Sequence, residues 1–87
     1  GSDLLTTAGN LETNRELSGL YGKVIVPQGQ QAFEASLADF QVGQENYSVV
    51  LNALISLSKD QILYYQALSD YMTDMARLEE LSGIPLN

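Results

Sequence analysis

Between residues 46 and 81 the chain contains neither glycine nor proline. Thirty-six residues without a helix breaker are more than two ordinary helices' worth of uninterrupted potential. Within that span Val50, Leu54, Leu57, Gln61, Tyr64, Leu68, Tyr71, Met75 and Leu78 recur in alternating steps of four and three. That alternation is a heptad seam, with Gln61 as its clearly polar member. Tyr64 and Tyr71 join an apolar ring to a polar tip, which suits a seam that meets water or a partner. Asn46 has the side chain of an N-cap, and Ser48 is a second candidate. Gly83 suits the position after the last turn, and Pro85 blocks continuation. The reading is a helix over residues 46–82, on the order of 50 Å long at about 1.5 Å per residue.

The first half of the chain is more broken. Gly9, Gly19, Gly22, Pro27 and Gly29 all fall in it. Leu17, Tyr21, Val24, Gln28, Gln31, Ala35, Ala38 and Val42 also step by four and three. Pro27 lies inside that run, where it removes a hydrogen bond and bends a helix. The preceding KVIV also has the composition of a short strand. Because the seam keeps its phase across Pro27, a helix kinked near Pro27 is preferred, with an irregular start before residue 10. The expected fold is all-α, a long antiparallel coiled-coil helical hairpin turning at Val42, Gly43, Gln44 and Glu45. Two further apolar sets remain. One comprises Leu51, Ile55, Ile62, Tyr65, Met72 and Ala76, the other Phe33, Leu37 and Phe40. Both need cover from other helices, so the chain is expected to pack as a helical-bundle oligomer.

Composition narrows the functions. The chain of 87 residues has no cysteine and no histidine. Disulfides, thiolate metal sites and the usual general base are therefore absent. Oligomerisation is the remaining support for so small a core. A net charge of -7 repels phosphate backbones and argues against nucleic acid. No apolar run reaches the length of a membrane-spanning helix. The serines have no base at a helical spacing, and no phosphate-cradling glycine loop is present, so no catalytic residues are assigned and the chain reads as a non-enzyme. Met72 and Met75 have soft-metal chemistry, but at this spacing they read as core packing. Asp70 and Asp74 lie on one helix face and read as a solvated acidic stripe. No metal or other cofactor is expected.

The order of features then takes on a pattern. Phe40 precedes Gly43; Asn46 and Tyr47 follow it. Val50-Leu51-Asn52-Ala53 comes next, then Gln61, Ala67, Asp70-Tyr71, Leu78-Glu79 and Gly83. Upstream stand Leu20-Tyr21, Val26-Pro27-Gln28, Ala32 and Ala35. This register resembles the TolC family of outer-membrane efflux proteins over roughly residues 11–86. The resemblance implies a trimeric channel of a Gram-negative bacterium, with a barrel in the outer membrane and a helical tunnel in the periplasm. Residues 3–87 would be one helical hairpin excised from such a channel, and Gly1 and Ser2 the remnant of an expression tag. Val42, Gly43 and Gln44 would form the tip that docks a periplasmic adaptor (a membrane fusion protein), coupled indirectly to an inner-membrane pump. Export of small molecules or ions would be passive conduction. Some members carry acidic residues six and nine positions after this glycine, forming a ring at the tunnel entrance. Here those positions are Val49 and Asn52, so that ring cannot be built from them. Read without the resemblance, the chain is a self-associating soluble helical hairpin serving as a structural or interaction module.

Overall fold

The computed structural model describes residues 2–83, with Ser2 described by its backbone alone. Four consecutive segments make two helical arms. The first arm is α1 (Ser2–Leu20), a π-helical turn (Tyr21–Ile25) and α2 (Val26–Gln41). The second arm is α3 (Tyr47–Ser82), a single helix of 36 residues. No strand occurs among the described residues, so KVIV is helical. The molecule measures 60 × 20 × 13 Å, with a radius of gyration of 18.3 Å. A compact chain of this length would have about 12 Å, so this is a rod, two helices across for most of its length. No described helix is long and apolar enough to cross a membrane.

The arms run antiparallel. Asn14 Nδ2 donates to Asp74 Oδ2 at 2.8 Å. Further along, Gly22 lies under the Tyr64 ring and Gly29 against Leu57. Partners thus advance along the first arm as they retreat along α3.

Eight of the nine α3 seam positions lie where the heptads put them. Val50 and Leu57 are buried, and Tyr64, Tyr71 and Leu78 are half-buried. Gln61, Leu68 and Met75 are half-buried as well, and the inward face widens to take in the residues just before the alternate positions. Ala53, Asp60, Ala67 and Asp74 turn toward the first arm, while Leu54 is 42% exposed. The cause is close approach. A methyl group built on Gly29 would lie 3.8 Å from the Leu57 Cα, so backbone meets backbone there. Small residues permit that distance and a leucine row does not.

The first arm departs further from expectation. Of the seam read there, only Tyr21 is half-buried; Leu17, Val24, Gln28, Gln31, Ala35, Ala38 and Val42 are exposed. The inward face is instead Leu11, Asn14, Ser18, Gly22, Ile25, Gly29, Phe33 and Ser36. Phe33 and Leu37, assigned above to an outer set, are half-buried; Phe40 alone of that set is exposed. The one-residue offset is already present at Leu17, ahead of the π turn. Proline at 27 has no N–H, and its ring would clash with the carbonyl four residues back in an α-helix. The chain widens just before it, with the Val26 N–H reaching the Tyr21 carbonyl. The disturbance is therefore a widened turn at Tyr21–Ile25, just ahead of Pro27. The start of α1 is likewise regular helix through Gly9, not the irregular segment expected.

Candidate functional site

The turn joining the arms is closed by its own backbone. The Gly43 N–H donates to the Phe40 carbonyl at 3.0 Å, and the Gln44 N–H to the Asp39 carbonyl at 2.8 Å. These are the two bonds of a Schellman motif, with Gly43 in the left-handed region at φ 76°. Val42 ends α2 outside helical geometry, at φ -103°, ψ 12°.

The far side is capped in turn. Asn46 is extended, and its Oδ1 accepts from the Val49 N–H at 3.1 Å. Glu45 Oε1 accepts from the Asn46 N–H at 3.0 Å. Asn46 is therefore the N-cap, as its side chain suggested. Asn46→Ala is expected to lower stability by about 1 kcal/mol, and Asn46→Asp to restore most of it. Urea titration of the three chains, followed by far-UV circular dichroism, measures this.

Above these bonds the rings of Phe40 and Tyr47 meet edge to face, centroids 6.0 Å apart and planes at 64°. Such a contact is worth about 0.5–1.5 kcal/mol beyond area burial. The two residues that frame the turn in sequence therefore clasp it in space. Sequence reasoning marked both residues but not their contact, nor the Glu45 bond, because each depends on how the arms cross.

The three predicted tip residues, Val42, Gly43 and Gln44, come together at the end of the rod, and all are exposed. Val42 is 68% exposed, an unusual position for valine. The N–H groups of Gly43 and Gln44 are already used within the turn. The side chains that the tip presents are the isopropyl group of Val42 and the exposed amides of Gln41 and Gln44.

Val49 and Asn52 are exposed on the first turns of α3, away from the face that meets the first arm. Neither carries charge. The remaining candidates separate. Met75 is half-buried, but Met72 is exposed and so is not the core residue expected. Asp70 is exposed, whereas Asp74 is half-buried and receives the Asn14 amide. The two aspartates therefore do not act as one solvated stripe. At the surface of α1, Arg15 pairs with Glu12 at 2.7 Å, and this hydrogen bond holds the Glu12 carboxyl below its ordinary range. Among the described residues no group of three or more acidic side chains is placed to hold a metal ion.

Comparison of the chain with protein-family models, with curated proteins and with solved structures finds no match.

Proposed function

We propose that this chain is part of the periplasmic tunnel wall of a TolC-like outer-membrane efflux channel, and that its tip docks a periplasmic adaptor. The supporting observation is the tip. It stands at one end of a 60 Å rod, its N–H groups internally bonded, with Val42 projecting into solvent. A pre-formed turn with one exposed apolar knob costs little ordering when a partner's groove receives it. In this reading the arms pack beside other helices as a coiled-coil wall of a trimer, and adaptor binding shifts that packing between closed and open tunnels. The uncharged pair Val49 and Asn52 would line an entrance without an acidic ring. Conduction is passive, of small molecules or ions.

Val42→Glu tests the docking claim. It should weaken capture of the periplasmic adaptor by about tenfold or more, since it places a charge where an apolar contact is needed. The helical content and thermal midpoint should stay within the wild-type range, because the side chain is already exposed. Undiminished crosslinking to the adaptor would remove Val42 from the interface.

A second reading is favoured by a different observation, the exposed apolar face of α3. In it the chain is a self-associating helical hairpin, a structural or interaction module complete in a bundle of its own copies.

A further inference from the structure

The outer face of α3 over residues 51–76 is exposed throughout and contains no charged residue, in a chain of net charge -7. Ile62, Tyr65 and Met72 are 57%, 65% and 62% exposed. So much contiguous apolar surface on a rod this thin needs a partner.

The order of residues along this face says which partner. About a midpoint between Leu63 and Tyr64, an antiparallel copy of α3 would bring Ile62 opposite Tyr65, Ser58 opposite Ser69, Ile55 opposite Met72 and Leu51 opposite Ala76. Any heptad spacing is symmetric on reversal, but the residue identities need not be. Here serine meets serine, large apolar residues meet large apolar residues, and leucine meets alanine. Sliding one copy by a heptad places Ser58 against Ile62 or Ala76 and Ser69 against Leu51 or Tyr65. The serines then lose each other as hydrogen-bond partners. The flanks agree. Lys59 is the only charged residue bordering the face between positions 52 and 75, and in the matched register it lies near Gln66 of the second copy. No like charges are opposed.

We infer that the free chain pairs with a second copy through this face, α3 against α3, antiparallel about a two-fold axis near Leu63 and Tyr64. The result is a layer of four helices, the two α3 helices at its centre and the first arms outside, with an isologous interface. The inference deepens the self-association reading and is independent of the channel reading. Eight face positions and eight flanking ones give about 16 residues per copy, against roughly 20–30 in an interface of standard size. Scaled on that basis, the dimer buries roughly 1,000 Å² in all, at the lower end for a specific complex. Association in the range of about 10–100 µM is expected.

Sedimentation equilibrium on the 87-residue chain across that range tests the pairing, with circular dichroism confirming that each variant remains helical. The wild-type chain should be dimeric at the upper concentrations. Ile62→Glu alone, and Tyr65→Lys alone, should each raise the dissociation constant about a hundredfold by burying an unpaired charge. Mixed one to one, the two variants should recover affinity to within about tenfold of wild type, because the new carboxylate at 62 faces the new ammonium at 65. A wild-type chain that stays monomeric removes self-association and the register together. A dimer that Ile62→Glu leaves intact, or that mixing does not restore, removes this register alone.

Discussion

Replacing Leu57 with alanine should destabilise the chain by about 3–4 kcal/mol, toward the upper part of the range for buried leucines. Leu57 is 4% exposed, the most buried side chain among the described residues. Its neighbour across the interface is Gly29, which has no side chain to lean into the space left behind. A cavity that cannot collapse costs more than transfer alone. The rest of the core is thin: among described residues only Val50, Ala67 and Thr7 are also buried. Total stability on the order of 5 kcal/mol is therefore expected for the isolated chain, so this one substitution should shift the thermal midpoint by more than about 10 °C. Leu54→Ala is the control. Both leucines belong to the heptad seam read from the sequence, yet Leu54 is 42% exposed. It should cost less than about 1 kcal/mol. Equal losses at 54 and 57 in chemical denaturation would contradict the packing of α3 described here.

That contrast marks the boundary of what the sequence disclosed. α3 was legible because its signals are local: no breaker over residues 46–81, a capping side chain at Asn46, and a glycine at 83 that ends the helix with φ 71°. Its outer apolar face was legible for the same reason. Its inner seam was legible too, Leu54 excepted, but the inner face of the first arm was not. Apolar periodicity favours large residues, but arms this close meet through Gly22, Gly29, Ala53 and Ala67. Their value in close packing is invisible to a count of hydrophobic side chains. The disturbance within the first arm was legible only in part. A π turn adds a residue to the repeat, and Pro27 signals a disturbance without fixing whether the helix kinks, breaks or widens. At the tip, Gly43 and Asn46 announced the turn. The contact of Phe40 with Tyr47 could not be read, since it exists only once the arms are placed.

Gly43→Pro should be nearly as costly as the loss of Leu57, at about 3 kcal/mol or more, by a different route. Proline fixes φ near -65°, whereas residue 43 sits at 76°. It also lacks the N–H that bonds the Phe40 carbonyl at 3.0 Å. The backbone of Val42, at ψ 12°, lies outside the extended region preferred before proline. The adjoining bond from Gln44 to Asp39 and the Phe40–Tyr47 ring contact depend on the same geometry and should go with it. Gly43→Ala separates these effects: it keeps the N–H and retains only the left-handed strain, about 1–2 kcal/mol. Near-UV circular dichroism should show the aromatic signal reduced in the proline chain and retained in the alanine chain, with both still helical by far-UV measurement. A proline chain that melts with wild type would show that the turn does not depend on the left-handed glycine. It follows that proline at 43 is a poor probe of docking, because it unmakes the surface it is meant to test, whereas Val42→Glu changes what the tip displays and leaves its hydrogen bonds in place.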